Sequence, residues 1–240
     1  MNTINQGATG ASAIFLKSWQ LYQEIIKHNY MFHREISVAV QKNLIAFKPE
    51  QPLRILDLGC GDASMIFPLL STDRVSKYVG CDLSQPALDI AHRHLETHQI
   101  KHQLICDDMQ RVAQEQPANS FDLVLSSYAL HHLNSINKEK IVENISRILI
   151  PGGWFVLIDI FREPSEDRAI YMRNYMGKIR DTWSNLSPES QSLIINHATE
   201  YDFPEHTTFF QSLWQRLGFN PENVLAKHTW HNACLHVKLS

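Results

Sequence analysis

Short apolar runs alternate with stretches of helical length across the middle of the chain, and this alternation constrains the fold most strongly. Five runs predict strands between Leu53 and Ile160, at LRILDL, KYVGCD, HQLICD, FDLVLSS and WFVLIDI. Helices are predicted between them, over Ala63–Leu70, Pro86–His98, Met109–Glu115 and Lys138–Leu149. Strands that alternate with helices predict an α/β fold, in which a parallel sheet is covered on both faces by crossover helices.

Segments of different character flank this alternation. Residues 1–50 show two helical periodicities and predict an N-terminal helical cap, so that the sheet domain covers residues 51–240. After Ile160 the alternation stops, and a helical insertion is expected over about 163–205. Predicted helix starts there are Ser165 and Ser187, a last helix covers Thr207–Leu217 before Gly218, and two final strands cover Asn223–Lys227 and Trp230–Leu239.

Charge and cysteine usage narrow the function classes. The 22 basic and 25 acidic residues give a net charge of −3, which disfavours a nucleic-acid groove or an acidic membrane surface as partner. Four widely spaced cysteines without a CxxC pair predict neither a disulfide framework nor a zinc site. The polar N-terminus lacks the features of a signal peptide, and the longest strongly apolar run is too short to span a bilayer. We therefore expect a soluble, cytoplasmic protein.

A glycine turn and three acidic strand ends predict a nucleoside site. Gly59 and Gly61 follow the first strand, where glycine lets the main chain approach a ligand closely. Asp82 ends the second strand, where a carboxylate accepts both ribose hydroxyls, and Asp107 and Asp108 end the third. Asp57 and Asp62 would repel a pyrophosphate, whereas S-adenosylmethionine carries a sulfonium and an ammonium and suits acidic surroundings.

The segment Leu53–Ile160 resembles class I S-adenosylmethionine-dependent methyltransferases, through ILDLGCGDAS, VGCDLS, ICDDM, FDLVLSSYALHHL and ILIPGGWFVLIDI in that order. Ala63 stands where the family pattern has a third glycine. The resemblance implies a Rossmann-like three-layer sandwich, with a mostly parallel seven-stranded sheet and an antiparallel C-terminal strand. It implies S-adenosylmethionine as cofactor and S-adenosylhomocysteine as product. The expected cofactor-binding residues are Asp57, Gly59, Cys60, Gly61, Asp82, Leu83, Asp107, Asp108, Met109 and Ser126, with Arg34 as a clamp on the cofactor carboxylate or as the partner of a neighbouring acid.

His131 and Asp159 are the candidates for catalysis. They follow the fourth strand and end the fifth, and an imidazole backed by a carboxylate can act as a general base. In the alternative interpretation the double histidine only caps the strand and frames the cofactor. The cap and the insertion are expected to form the acceptor pocket, with Tyr22, His33, Arg162, His197 and Asp202 as its polar residues.

A small-molecule acceptor is favoured, with O-methylation slightly preferred. The SSYA sequence stands where enzymes that methylate amino groups of nucleic acids or glutamine carry Asn/Asp-Pro-Pro-Tyr/Phe. A protein methyltransferase, a non-catalytic cofactor-binding module and a nicotinamide oxidoreductase are the alternatives. The histidines at positions 92, 94, 98 and 102 are interpreted as a solvated surface, so no metal is predicted, and no oligomeric state is predicted.

Overall fold

One open sheet organises the molecule. The computed structural model describes residues 19–48, 51–69, 74–221 and 223–239. Seven strands lie in the order β3-β2-β1-β4-β5-β8-β7, and β8 runs antiparallel to both of its neighbours. The strands are β1 Leu53–Leu58, β2 Val75–Asp82, β3 His102–Cys106, β4 Phe121–Ser127, β5 Leu149–Arg162, β7 Asn223–His228 and β8 His231–Val237, and the short β6, Glu205–His206, pairs with the end of β5. The expected α/β sandwich with an antiparallel C-terminal strand is confirmed, and only β6 was not predicted.

Helices cover both faces of this sheet. Their bounds are α1 over 19–27, α2 His33–Ala46, α3 Gln85–Thr97, α4 Met109–Glu115, α5 Ser135–Ile148, α6 Arg168–Thr182, α7 Pro188–Tyr201 and α8 Thr207–Arg216. The part of the first cap helix predicted before residue 19 lies outside the described residues. Within the described residues, no helix combines the length and apolarity that a bilayer crossing requires.

Two local predictions need correction. The helix expected over Ala63–Leu70 is a short 3-10 helix, Ser64–Leu69, consistent with the missing backbone N–H of Pro68. Helix α6 begins after Asp167 rather than at Ser165, because the Asp167 carboxylate accepts a hydrogen bond from the backbone N–H of Ile170 at 2.8 Å.

The cap packs into the core of the sheet domain. Ile36, Val40 and Leu44 of α2 are fully buried in the same hydrophobic cluster as Leu53 and Ile55 of β1. That cluster also contains buried residues of α6 and α7, whereas helices α4, α5 and α8 pack against a second cluster. The cap and the insertion therefore meet in one hydrophobic cluster, next to the carboxyl ends of the central strands.

Candidate active site

The turn after β1 brings the main chain close to its neighbours. Gly59 and Gly61 have φ angles of 74° and 52°, a conformation that side chains disfavour. A Cβ atom on Gly59 would lie 2.5 Å from the Cβ of Ala129, and one on Gly61 would lie 3.3 Å from the ring of Trp19. The turn therefore requires glycine at Gly59 for two reasons, and α1 places an aromatic ring over it.

Asp82 fixes this turn from the end of β2. One carboxylate oxygen accepts from the backbone N–H of Gly61 at 2.9 Å, and the other accepts from that of Ser84 at 2.8 Å. Burial raises the pKa of Asp82, while these backbone donors act in the opposite direction. Asp82 therefore lies against the glycine turn as a preorganised acceptor.

Asp57 is a second buried carboxylate beneath the turn. The hydroxyl of Tyr78 donates to it at 2.9 Å. Burial raises the pKa of Asp57 to about 7, partly offset by that hydrogen bond, and the nearby carboxylates of Asp82 and Asp62 raise it further. Three acidic groups at one turn favour a cationic ligand.

A large cavity opens at these strand ends, and we call it the strand-end cavity. Its wall includes the glycine turn, the end of β2 and the start of α4, where Asp108 accepts from the N–H of Gln110 as N-cap. Eleven residues predicted from the sequence line it. Nine were predicted for the cofactor: Asp57, Gly59, Cys60, Gly61, Asp82, Leu83, Asp107, Asp108 and Met109. The other two, Tyr22 and His33, were predicted for the acceptor pocket.

Three predicted residues lie elsewhere. Arg34 is exposed and does not line the strand-end cavity, its guanidinium donates to the carbonyl of Lys27 at 2.8 Å, and its role as a clamp stays a prediction. Ser126 is fully buried between β1 and β5, and its neighbour Ser127 lines the strand-end cavity instead. Arg162 does not line the acceptor pocket, because it donates to the carbonyls of Pro204 and Glu166 and to the Glu205 carboxylate.

A second cavity lies between the cap and the insertion, and we call it the helical cavity. Helices α1, α6 and α7 supply mainly apolar and aromatic walls, and the predicted residues Tyr22, His131, His197 and Asp202 also line it. The sequence pattern does not identify the wall residues Met31, Tyr175, Trp183 and Leu193, because apolar positions look the same whether they face a core or a pocket.

A buried polar cluster forms one end of the helical cavity. His131 Nδ1 donates to Asp159 Oδ1 at 2.5 Å, which leaves Nε2 of the ring as the second functional nitrogen. Asp202 Oδ1 lies 3.7 Å from His131 Nε2, 3.2 Å from His132 Nδ1 and 3.8 Å from His197 Nε2. The backbone N–H of Phe203 donates to the carbonyl of His131 at 2.7 Å, which links the insertion to this cluster.

Charges in the cluster set the protonation of its histidines. Burial disfavours the imidazolium of His131, but Asp159 and Asp202 outweigh burial and raise its pKa. Burial and the neighbouring His131 lower the pKa of His132, and burial lowers that of His197 to about 4. Although burial opposes it, the histidines lower the pKa of Asp202. Asp159 and Asp202 thus make His131 the histidine of the cluster that binds a proton most readily.

The same cluster is the one group among the described residues with metal-compatible spacing. Ligand atoms of His131, His132 and Asp202 lie within 4.8 Å of one another. As they stand, the carboxylate is paired with the imidazoles, and Asp159 supplies a second negative charge through His131. The absence of a metal stays a prediction.

The two cavities meet at three side chains, Tyr22, Tyr128 and His132, which line both. The hydroxyl of Tyr22 lies 3.3 Å from His33 Nε2. Tyr128 adopts a left-handed φ of 51°, and its hydroxyl donates to the carbonyl of Met31 at 2.5 Å. This bond ties the end of β4 to the cap, so the border between the cavities is fixed by tertiary contacts.

Comparison with known proteins identifies the segment that carries the glycine turn. Residues 55–153 match a family model described as a methyltransferase domain. The mitochondrial ubiquinone biosynthesis O-methyltransferase of Arabidopsis thaliana is 26% identical over 160 residues, which cover 63% of this chain and 48% of that protein. The zebrafish (Danio rerio) tRNA N(3)-cytidine methyltransferase METTL2 is 30% identical over 114 residues, 45% of this chain and 32% of that protein. The chain thus spans between a third and a half of these two relatives.

Solved structures share the fold over nearly the whole chain. Magnesium protoporphyrin IX methyltransferase from Synechocystis PCC 6803, solved with bound S-adenosylmethionine, has a TM-score of 0.63. The similarity covers 99% of this chain and 100% of that one at 12% sequence identity. At that identity the likeness establishes the common architecture.

Proposed function

We propose that this chain, which belongs to the class I S-adenosylmethionine-dependent methyltransferases, transfers a methyl group from that cofactor to a small-molecule acceptor. The observation that carries the proposal is the meeting of the two cavities at Tyr22, Tyr128 and His132. A donor in the strand-end cavity and an acceptor in the helical cavity would face each other across this border. Holding two reactants in such an orientation supplies up to about 7–11 kcal/mol of a barrier.

S-adenosylmethionine is the cofactor of this family, and the strand-end cavity fits it. Gly59 lets the turn lie directly against Ala129, and Asp57 and Asp82 place a buried and a partly buried carboxylate beside the turn. We propose that Asp82 binds the ribose and that Asp107, Asp108 and Met109 surround the adenine. When bound, the cofactor supplies a methyl group already activated by its sulfonium.

We propose that His131 acts as general base and that Asp159 orients it. The bond from Nδ1 to Asp159 leaves Nε2 to take a proton from the acceptor, and the carboxylate stabilises the imidazolium that forms. This arrangement supports O-methylation, because a hydroxyl must lose a proton during transfer. A positioned base contributes about 10²–10⁴-fold to such a step.

The chemistry of the helical cavity also bears on the choice of acceptor. A tRNA acceptor is suggested by the zebrafish relative, but that similarity covers less than half of this chain. The aromatic walls and buried histidines of the helical cavity support a small molecule rather than a nucleic acid or a protein. The wide spacing of the four cysteines, without a CxxC pair, supports the further proposal of a cytoplasmic location.

Two variants separate the cofactor role from the base role. Asp82→Ala should weaken S-adenosylhomocysteine binding by about 10–100-fold in calorimetry, because a charge-assisted contact is lost. His131→Ala should lower methyl transfer about 100-fold or more while leaving that affinity unchanged. The matched control is His98→Ala, since His98 is exposed at the end of α3 and should alter neither quantity.

The activity is measured as transfer of labelled methyl groups to fractionated small metabolites, to whole protein extract and to tRNA. Labelling of the metabolite fraction supports the proposal, and labelling confined to protein or tRNA contradicts the small-molecule acceptor. A His131→Ala protein that loses affinity in proportion to rate would show a structural role for that residue. Cofactor binding without labelling of any fraction would favour a non-catalytic module.

A further inference from the structure

The chemistry of the walls of the helical cavity indicates which kind of acceptor would fit there. From them we propose that the acceptor is an uncharged molecule with a hydroxyl at one end and an apolar body that reaches the surface beside Leu193. This inference rests on the proposed function, because it assumes that the helical cavity receives the acceptor. The positions of the polar groups, the arrangement of the aromatic rings and the contacts of nearby cations support this description of the acceptor.

Polar groups are confined to one end of the helical cavity. His131, His132, His197 and Asp202 lie close together there, with Asp159 behind His131. Apart from tyrosine hydroxyls, the other lining residues are apolar. An acceptor that matches this division has a single polar function, which lies against His131, and a body without polar groups that would have to be desolvated.

The apolar wall is built from aromatic rings held by other rings. Trp183 stacks on Tyr30 with centroids 4.8 Å apart and planes 5° from parallel, and Tyr175 meets Trp183 edge to face at 84°. The backbone N–H of Asn185 donates to the hydroxyl of Tyr30 at 2.9 Å, which fixes the stack to the insertion. Preorganised rings of this kind favour flat or aliphatic surfaces, because little side-chain entropy is lost on binding.

Positively charged side chains near the helical cavity donate hydrogen bonds to backbone carbonyls. None of its described lining residues is Lys or Arg. The ammonium of Lys138 donates to the carbonyls of Leu133 and Phe203, and the guanidinium of Arg168 donates to those of Thr199 and Asp202. An anionic acceptor would therefore find no free positive side chain and would face the carboxylate of Asp202.

A cationic acceptor is disfavoured for a different reason. The carboxylate of Asp202 already faces three imidazoles, at 3.2–3.8 Å, and Asp159 is bound to His131. Each of the two buried carboxylates thus already has an imidazole partner within the cluster. A further cation would lose its hydration without gaining an unpaired carboxylate.

Leu193 marks where the acceptor body leaves the protein. It lines the helical cavity and is nevertheless 54% exposed, whereas Trp183 in the same cavity is 1% exposed. An exposed leucine at the rim allows a long apolar tail to extend past it. Because its side chain contributes little to the core, substitution there tests the acceptor without unfolding the protein.

Three phenols of matched length test the proposal. They are 4-heptylphenol, 6-(4-hydroxyphenyl)hexanoate and 6-(4-hydroxyphenyl)hexylamine, whose tails are neutral, anionic and cationic. Their affinities are measured by calorimetry on the full chain saturated with S-adenosylhomocysteine. We expect the neutral phenol to bind about tenfold or more tightly than either charged one. The proposal is overturned if a charged phenol binds as tightly as the neutral one, or if none of the three binds.

Leu193→Lys sharpens the test and Leu193→Gln is its control. A lysine at the rim should improve binding of the hexanoate about threefold and leave the neutral phenol nearly unchanged, whereas glutamine should not improve the hexanoate. Equal effects of both variants would contradict a tail that passes residue 193. Because S-adenosylhomocysteine binding is recorded first, failure of the phenols with an intact cofactor site rejects this inference alone. Absence of cofactor binding rejects the proposed function.

Discussion

The two cavities are built in different ways, although they share a border. The strand-end cavity is formed at a turn of the main chain, where Gly59 meets Ala129 and Asp82 accepts from a backbone N–H. The helical cavity is formed by side chains of helices that lie outside the sheet. A site formed by backbone has few acceptable sequences, whereas a site formed by helical side chains changes its shape with each substitution. Under the proposed function, the part that binds the cofactor would therefore tolerate fewer substitutions than the part that binds the acceptor.

The two cavities also differ in their charged groups. At the glycine turn, burial raises the pKa of Asp57, and the nearby carboxylates of Asp82 and Asp62 raise it further. In the helical cavity, Asp159 and Asp202 are matched by His131 and by the nearby Lys138. The first cavity therefore offers carboxylates that a cationic ligand can pair with, whereas in the second the carboxylates already have partners before any acceptor enters.

The largest expected effect is on stability, and it tests whether the glycine turn tolerates as few substitutions as this comparison requires. Gly59→Ala should destabilise the protein by about 3 kcal/mol or more, since the left-handed φ costs about 1–2 kcal/mol and the clash with Ala129 adds about 1–3 kcal/mol. Gly152→Ala is the matched control, because Gly152 has a φ of 73° and nothing within 4 Å of an added Cβ. Urea denaturation of both variants measures the difference, and equal losses would refute the close approach.

A smaller effect is expected on the acceptor side. Lys138 is buried, and its ammonium joins α5 to the segment that carries Asp202. Lys138→Met should lower the free energy of unfolding by about 1–3 kcal/mol, because two backbone carbonyls lose a charged donor. It should also slow methyl transfer without changing cofactor affinity, since Asp202 is displaced.

The control for this change is on the same helix. Lys140→Met makes the same chemical change at an exposed position and should alter the free energy of unfolding by less than about 0.5 kcal/mol. If Lys138→Met weakens the cofactor as much as it slows transfer, the two cavities are not energetically separate and the comparison fails.

Site residues that lie close to a strand end could be predicted from the sequence. The glycine turn, Asp82 and the N-cap Asp108 lie within a few residues of a strand end, so their positions follow from the strand–helix pattern alone. His131 and Asp159 were expected over one sheet edge and meet at 2.5 Å, although their catalytic role stays a prediction.

Other positions depended on information that a single sequence does not carry. Ser126 was placed in the site in error for its neighbour Ser127, since a shift of one residue in a strand turns a side chain to the other face. Arg34 lies on a surface helix, where its guanidinium donates to a nearby backbone acceptor, the carbonyl of Lys27. The stack of Tyr30 on Trp183 joins residues 153 positions apart, and only tertiary packing reveals it.

The smallest expected effect concerns the charge of the strand-end cavity. Asp57, beside Tyr78, Asp62 and Asp82, has a pKa raised to about 7, so in the free protein it is largely protonated at pH 5.5. A bound cation favours the carboxylate and lowers that pKa, so binding of S-adenosylmethionine releases a proton in this range. Affinity should therefore rise with pH, by up to about tenfold between pH 5.5 and 7.0, while the α-ammonium of the cofactor stays mostly protonated. Calorimetry in buffers of different ionisation enthalpy counts the released proton. Asp57→Asn, which keeps an acceptor for Tyr78, should abolish both the release and the slope. An affinity that stays flat with pH in the unsubstituted protein would show that the retained negative charge does not select the cofactor, and the electrostatic contrast between the two cavities would be lost.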